Sequence, residues 1–325
     1  MFNCRFFQWF YQAGQFLMAC LCVVPSVYGQ RQASAKDFSG VRATIPFEMM
    51  HGIPVVSLTV NGHHQAHFIV DTGCPNTVIN ADQADALGVK VSSTPIGTID
   101  GTGENPALRA YSTNKLKLSF GDTRLAKGTF RAISLQDISS FFREPIGGIL
   151  CYDFLRRQSF VVDFPNRRLE LGTNASDLSS TVPYADLIST ASGLPIILMT
   201  ATVAGRRIDS AKILLDTGSD RELSLNRALV GEQKLIDIGG WKDSEGAGLN
   251  GRHRMLHGHS GSISNEMIEL PIRDVALSNA DTGNTTGNQP EDGFLGSGTL
   301  SAYALFFDVT NKRVFFSNNS AAIQP

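Results

Sequence analysis

Phe68-Ile69-Val70-Asp71-Thr72-Gly73 and Ile213-Leu214-Leu215-Asp216-Thr217-Gly218 are the two stretches that decide the fold. In each, three apolar residues run directly into Asp-Thr-Gly. An apolar run that meets a glycine-containing turn predicts a buried strand ending in a tight turn. Each strand would therefore present one carboxylate at its end. Two carboxylates supplied by two similar segments are what a shared-proton acid/base pair requires.

The spacing of these motifs predicts an internal duplication. Asp216 follows Asp71 by 145 residues, and other features recur at the same offset. Self-similarity at so long a period suits two domain-sized lobes and is too long for a solenoid unit. The matched pairs are Gly101-Thr102-Gly103 with Gly246-Ala247-Gly248, Asn105 with Asn250, Gly148-Ile149-Leu150 with Gly293-Phe294-Leu295, and Val161-Val162-Asp163 with Phe306-Phe307-Asp308.

Short apolar runs broken by Gly, Asn, Asp and Pro predict a mainly β protein. Asn61-Gly62 between two such runs is typical of a hairpin. We assign residues 45–172 to a first lobe and 194–325 to a second lobe. Residues 173–193 are polar and are expected to form the linker, and residues 30–44 a short leader.

The N-terminus resembles a secretory signal peptide covering residues 1–29. Arg5 is its only charge, an apolar run spans residues 16–24, and cleavage after Gly29 fits the small-residue rule. We therefore expect an exported protein, secreted or periplasmic, with no integral membrane span once the signal is removed. Lipoprotein anchoring at Cys20 is an alternative, although Met18 suits a lipobox poorly.

Composition excludes several classes of function. The chain has 28 Lys and Arg against 30 Asp and Glu, spread evenly, so there is no basic surface of the kind that binds nucleic acid. Three of the five cysteines fall in the signal, which leaves Cys74 and Cys151 and rules out a disulfide-dense scaffold. Histidines cluster without the Cys, Asp or Glu partners of a metal site, and we expect no metal and no cofactor. These clusters are His63, His64 and His67, and His253, His257 and His259.

The paired motifs resemble the aspartic peptidases, both pepsin-like and retropepsin-like. In that family a strand runs into Asp-Thr-Gly, and two apolar residues with Gly follow far downstream. Here those residues are Ile149-Leu150-Cys151 and Phe294-Leu295-Gly296. The resemblance implies two β-barrel lobes related by a pseudo-twofold axis, with the active site in the cleft between them. Because each lobe is shorter than in the pepsins, the chain looks most like bacterial-type retropepsin-like proteins fused as two lobes.

The resemblance also implies roles for residues. Asp71 and Asp216 would be catalytic, Thr72 and Thr217 would cross-link the two turns, and Gly73 and Gly218 would let backbone N–H groups approach the carboxylates. Two glycine-rich segments lie where the family carries a flap that closes over substrate; ordinary glycine turns are the alternative. The flap candidates are Gly101, Gly103, Gly246 and Gly248.

The expected function is therefore an aspartic endopeptidase acting on a peptide or protein as a monomer. Two adjacent carboxyls hold one proton between them, so one can activate a water while the other protonates the substrate carbonyl. We expect cleavage to be favoured at acid pH. The alternative is a catalytically silent pepsin-fold module of the cell envelope that binds a peptide or protein.

The first lobe departs from the family pattern at two cysteines. Cys151 stands where the motif has Gly, and Cys74 stands where the second lobe has Ser219. Two interpretations remain open from sequence. The cysteines are either two small buried residues or partners in a disulfide across the catalytic turn, which an exported setting favours.

Overall fold

The computed structural model describes residues 15–16, 42–173, 182–278 and 291–318. Below, "first half" means residues 42–173 and "second half" means residues 182–318 without the gap. The expected signal peptide, apart from residues 15–16, lies outside the described residues, as do Cys20 and most of the expected leader.

Strands dominate the described chain, so the prediction of a mainly β protein is confirmed. Up to residue 173 the strands are β1 Gln15–Phe16, β2 Ala43–Met50, β3 Ile53–Val60, β4 His64–Asp71, β5 Val78–Asn80, β6 Gly97–Ile99, β7 Leu108–Ser112, β8 Leu116–Phe120, β9 Thr123–Gly128, β10 Arg131–Ile133, β11 Ile146–Cys151, β12 Phe160–Asp163 and β13 Arg168–Leu171. The α-helices there are α1 Gln136–Phe142 and α2 Tyr152–Leu155, with a 3-10 helix at Ala81–Gln83.

The second half also consists mainly of short strands with a few short helices. Its strands are β14 Tyr184–Ile188, β15 Ile196–Val203, β16 Arg206–Asp216, β17 Leu223–Leu225, β18 Lys242–Gly248, β19 Gly251–Gly258, β20 Gly261–Ser264, β21 Glu269–Ile272, β22 Val275–Ser278, β23 Gly293–Gly296, β24 Ala304–Asp308 and β25 Arg313–Ser317. Its helices are α3 Arg227–Glu232 and α4 Ser297–Leu300, with a 3-10 helix at Ile236–Ile238. Among the described residues, no helix has the length and apolar character needed to cross a membrane.

The hairpin of β3 and β4 carries the first Asp-Thr-Gly. Asn61 and Gly62 have φ values of 54° and 81°, a left-handed conformation that Asn and Gly adopt most readily. The strand then buries Phe68, Ile69 and Val70 completely, which anchors the residues just before Asp71.

The same pairing pattern supports both aspartates. β4 runs parallel to β11, which is antiparallel to β5. In the second half, β16 runs parallel to β23, which is antiparallel to β17. Because both faces of these strands are covered, they read in sequence as continuous apolar runs rather than alternating ones.

One sheet joins the halves, with strand order β2-β13-β12-β24-β25-β14. At its centre β12 pairs antiparallel with β24, and Val161 lies opposite Phe306. The rings of Phe160 and Phe307 stack across this junction with centroids 4.5 Å apart. Buried aromatic stacking at the junction holds the two halves together.

Two expected boundaries differ from the structure. β2 begins at Ala43, within the expected leader, because residues 43–46 pair with β13. β14 lies within the expected linker and pairs with both β15 and β25. Its Tyr-Ala-Asp-Leu-Ile sequence is too short and mixed to stand out as a strand, and partners distant in sequence supply its stability.

A disulfide joins Cys74 and Cys151, whose Cα atoms are 5.2 Å apart. Both residues are buried, and Cys151 of β11 lies beside Asp71 of β4 in the strand register. The bond therefore ties the turn that follows the first aspartate to the neighbouring strand.

We expect the disulfide to stabilise the fold by about 2–4 kcal/mol, since it closes a long loop in the unfolded chain. The variant Cys74→Ser/Cys151→Gly, which copies Ser219 and Gly296 of the second half, should lower the unfolding free energy by that amount in urea titrations. Reductant should destabilise wild type and leave the double variant unchanged. Equal sensitivity of both proteins to reductant would contradict this role.

Candidate active site

Asp71 and Asp216 stand at the ends of β4 and β16 and are buried. The Oδ1 atom of Asp71 accepts a hydrogen bond from the Gly73 N–H at 2.7 Å. The Oδ1 atom of Asp216 accepts one from the Gly218 N–H at 3.0 Å. The same tight turn thus orients both carboxyl groups.

The two turns are cross-linked through their threonines. The backbone N–H of each threonine donates to the hydroxyl of the other at 3.1 Å, in both directions. The Thr72 hydroxyl in turn donates to the Leu215 carbonyl at 2.6 Å, and the Thr217 hydroxyl to the Val70 carbonyl at 2.7 Å. Four buried hydrogen bonds therefore set the position of one aspartate relative to the other.

Gly73 and Gly218 allow the carboxyl groups to come together. A Cβ atom added at Gly73 would lie 2.5 Å from the Asp216 carboxyl carbon, and one at Gly218 would collide with the Asp71 carboxyl. Each carboxyl therefore packs against the glycine of the opposite turn. Any side chain at these glycines would push the two acids apart.

Burial is the main influence on the acidity of both groups. It raises the pKa of Asp71 to about 6, although hydrogen bonds with Asp216 and with the Gly73 and Cys74 N–H groups act to lower it. Burial also raises the pKa of Asp216 well above its ordinary value, and the nearby Asp71 carboxyl raises it further. Two close acids cannot both ionise easily, so Asp71 ionises first while Asp216 keeps its proton.

The four flap candidates lie in two separate segments of the chain. Gly246 and Gly248 belong to β18, which forms a regular hairpin with β19. Gly101 and Gly103 lie in the irregular loop between β6 and β7. Because β6 and β7 pair antiparallel, the first-half glycines also lie in a hairpin, but in its long irregular loop rather than on its strands. Gly101 lies against Leu249 and Gly103 against Asn250, so the two segments meet. We call the β18–β19 hairpin the flap hairpin.

The tip of the flap hairpin bonds to the first-half loop. The Asn250 N–H donates to the Thr102 carbonyl at 3.0 Å, and the Asn105 N–H donates to the Asn250 carbonyl at 2.9 Å. The Asn250 side-chain amide also donates to the Asp100 carboxylate at 2.7 Å. The neighbouring Leu249 is buried in the apolar cluster that contains both disulfide cysteines. These contacts hold the tip of the flap hairpin against the first half.

The outer edge of the flap hairpin pairs with an extended chain. The backbone of Gln15–Phe16 lies parallel to Gly246–Ala247, with each residue opposite one partner. The β18 edge is therefore able to bind a strand of peptide by main-chain pairing.

Sequence reasoning missed a support network behind the first aspartate. The Thr77 hydroxyl donates to the Asp153 carboxylate at 2.7 Å and accepts from the Cys151 N–H at 3.1 Å. Asp153 also accepts from the Thr77 N–H at 2.8 Å. No motif marks these residues, because their partners meet only when β11 packs beside the first turn. Asn250 was visible in the sequence as a repeat of Asn105, but its contacts were not.

His63 and His64 remain neighbours, with ring centroids 6.5 Å apart, but the other histidines have separate partners. His67 lies beside Ser57, His257 beside Asp274, and His259 against Trp241. Within the part of the chain that the structure describes, no group of three or more His, Cys, Asp and Glu side chains is arranged to hold a metal ion.

We expect the Asp100–Asn250 hydrogen bond to slow opening of the flap hairpin. Asn250→Asp places two carboxylates together, and amide hydrogen exchange at residues 105 and 250 should accelerate by about tenfold, the equivalent of one hydrogen bond. The combined variant Asp100→Asn/Asn250→Asp restores an amide–carboxylate pair and should return exchange towards the wild-type rate. Exchange unaffected by Asn250→Asp would show that this bond does not restrain the flap.

Comparison with known proteins was consistent with this geometry. No curated protein matches the chain. Residues 56–154, however, match the family model described as Aspartyl protease. The matched range includes Asp71, Thr72, Gly73 and both disulfide cysteines. This match supports an aspartyl protease family for the chain.

Proposed function

We propose that this protein is a single-chain, two-lobed aspartic endopeptidase with Asp71 and Asp216 as its catalytic pair. The observation that carries the proposal is the reciprocal threonine bonding, which brings two buried carboxyls of unequal acidity together. The family match supports peptide hydrolysis by an aspartic protease in general. The similarity to bacterial retropepsin-like proteins rests on the short lobes and the paired motifs.

In this mechanism the two acids have different tasks. Asp71, which ionises first, takes a proton from a water as its oxygen bonds to the substrate carbonyl carbon. Asp216 gives its proton to the carbonyl oxygen. When the tetrahedral intermediate collapses, the C–N bond breaks, the proton held by Asp71 goes to the leaving nitrogen, and Asp216 recovers a proton from the intermediate.

The cleft suits an extended peptide. The outer edge of β18, which pairs with Gln15–Phe16, offers main-chain hydrogen bonds to an extended segment. In this proposal the flap hairpin closes over the two acids when substrate is bound. Closure excludes water from the site, which strengthens the interaction between the acids and the substrate. A flap that is closed in the free protein must open before substrate enters.

We also propose that the protein works outside the cytosol, secreted or in a periplasm. The signal-like N-terminus motivates this, and the Cys74–Cys151 disulfide supports it, because disulfides persist mainly in oxidising compartments.

The first test removes each acid separately. Asp71→Asn and Asp216→Asn should each reduce kcat/KM on a peptide library by at least about a thousandfold, since residues that act as a unit fail together. Asp122→Asn changes an exposed acid and should retain full activity. Full activity in either dyad variant would exclude that acid from the reaction, and an inert wild type that still binds peptides would favour the silent binding module.

The second test uses pH. The active form has Asp71 ionised and Asp216 protonated, so kcat/KM should rise as the pH increases through about 6 and fall once Asp216 loses its proton. Burial thus moves the expected optimum closer to neutrality than the sequence alone suggests. An optimum near pH 3 would show that the working dyad is far more acidic than the closed structure implies.

The stability of the fold should also depend on the ionisation of Asp71. Because the pKa of folded Asp71 is raised from 3.8 to about 6, its ionisation disfavours the folded state, and stability should decline as the pH rises between these values. Asp71→Asn should reduce this decline in thermal melts at a series of pH values. Asp122→Asn serves as the control, and an unchanged pH slope in Asp71→Asn would contradict the raised pKa.

A further inference from the structure

The two halves differ in what lies around the active-site turns. Around the disulfide the first half has an apolar cluster, which includes Ile53, Ile99, Ile146 and the buried Leu249 of the flap hairpin. The second half instead buries three ionisable side chains, Arg221, His253 and Glu291. At the 145-residue offset their first-half counterparts are Asn76, Leu108 and Ile146.

His253 lies on the underside of the flap hairpin. It pairs with Gly246 across β18 and β19, and its ring covers that glycine: a Cβ atom at Gly246 would lie 2.6 Å from the ring. On the other side of β18, Gly246 pairs with Gln15 of the extended Gln15–Phe16 segment. His253 therefore sits directly under the strand that receives a peptide.

The His253 ring has unused hydrogen-bonding capacity. His253 is only 9% exposed, and neither of its ring nitrogens has a hydrogen-bond partner within the described residues. Leaving a buried N–H donor unpaired costs about 1–3 kcal/mol. Such an unpartnered ring on the buried face of the flap hairpin is suited to bonding a ligand atom.

Charge around the ring favours an oxygen atom. Burial first, and the positive charge of Arg221 second, lower the pKa of His253 to about 4, so the ring is neutral near pH 7 and keeps one N–H donor. The negative charges of Asp220 and Asp274 act to raise the pKa of Arg221, and the charge of Glu291 raises the pKa of Asp216. Arg221 is the charged group that influences His253.

We propose that His253, in the field of Arg221, forms a specificity subsite for a substrate side chain that carries a carboxylate or carboxamide oxygen. The substrate class is then a peptide with a Glu or Gln residue near the cleaved bond. This inference rests on the proposed function, since it assigns a subsite to that cleft.

The test compares peptides that differ only at the position facing the second half, where Glu, Gln or Met is placed. Gln and Met are unbranched and similar in size, but Met lacks the acceptor oxygen. Wild type should prefer Gln and Glu over Met by about tenfold in kcat/KM, the value of one hydrogen bond to a buried donor. His253→Leu, which copies Leu108, should favour Met instead.

Two controls separate recognition from folding. His253→Gln retains a side-chain N–H donor and should recover part of the preference, whereas an effect on folding alone would move all three peptides together. His63→Leu replaces an exposed histidine and should leave the preference unchanged. A Gln-to-Met ratio that is the same in wild type and His253→Leu would overturn the proposal, as would equal use of Gln and Met by wild type.

Binding measured in the Asp216→Asn variant separates this subsite from catalysis. Calorimetric titration with the same peptides should show the tenfold Gln-over-Met preference, and it should disappear when His253→Leu is added. If that preference is present but wild type cleaves nothing, the endopeptidase assignment fails and the subsite stands. If wild type cleaves peptides but the inactive variant binds Gln and Met equally, the subsite fails and the endopeptidase assignment stands.

Discussion

The hydrogen bonds that Thr72 and Thr217 exchange are the contact on which the rest of the site depends. Each threonine donates its N–H to the other hydroxyl and its own hydroxyl to a carbonyl of the opposite strand. Because this arrangement is reciprocal, displacing one turn also displaces the other. It holds two acids in contact although their repulsion and desolvation both oppose it, and the strands behind them must be rigid enough to resist. The central pairing of β12 with β24 also joins equivalent positions of the two halves, because Val161 lies opposite Phe306.

Around this nearly symmetric centre the two halves have diverged. The first half strengthens its turn covalently, through Cys74 and Cys151, and surrounds it with apolar side chains. The second half has Ser219 and Gly296 at those positions. A short helix contacts the turn in both halves, and in α4 the Ser297 hydroxyl also donates to the Thr217 carbonyl at 2.8 Å. It also buries Arg221, His253 and Glu291 near the cleft. Symmetry is thus kept at the two aspartates and lost in the side chains that surround them.

Burial and acidity are linked in this fold. The flap hairpin is held against the first half because Asn250 bonds to the loop there and Leu249 enters its apolar cluster. Each acid packs against the glycine of the opposite turn and is buried, and the loss of water is the main reason that both pKa values are raised. Any movement that rehydrates the acids would therefore lower these values.

The sequence by itself determined the strand class, the two Asp-Thr-Gly turns and the 145-residue correspondence between them, because apolar runs ending in turn residues are local signals. Asn61-Gly62 likewise predicted a hairpin, since those residues tolerate positive φ. Only the tertiary structure decided that Cys74 and Cys151 are bonded and that β14 forms within the expected linker. It also decided that Thr77 and Asp153 brace the first turn and that the tip of the flap hairpin bonds to the β6–β7 loop. His253 illustrates the reason most clearly. In sequence it is one histidine in an ordinary cluster, and its burial beneath a strand edge and its proximity to Arg221 arise from contacts between segments that no local pattern encodes.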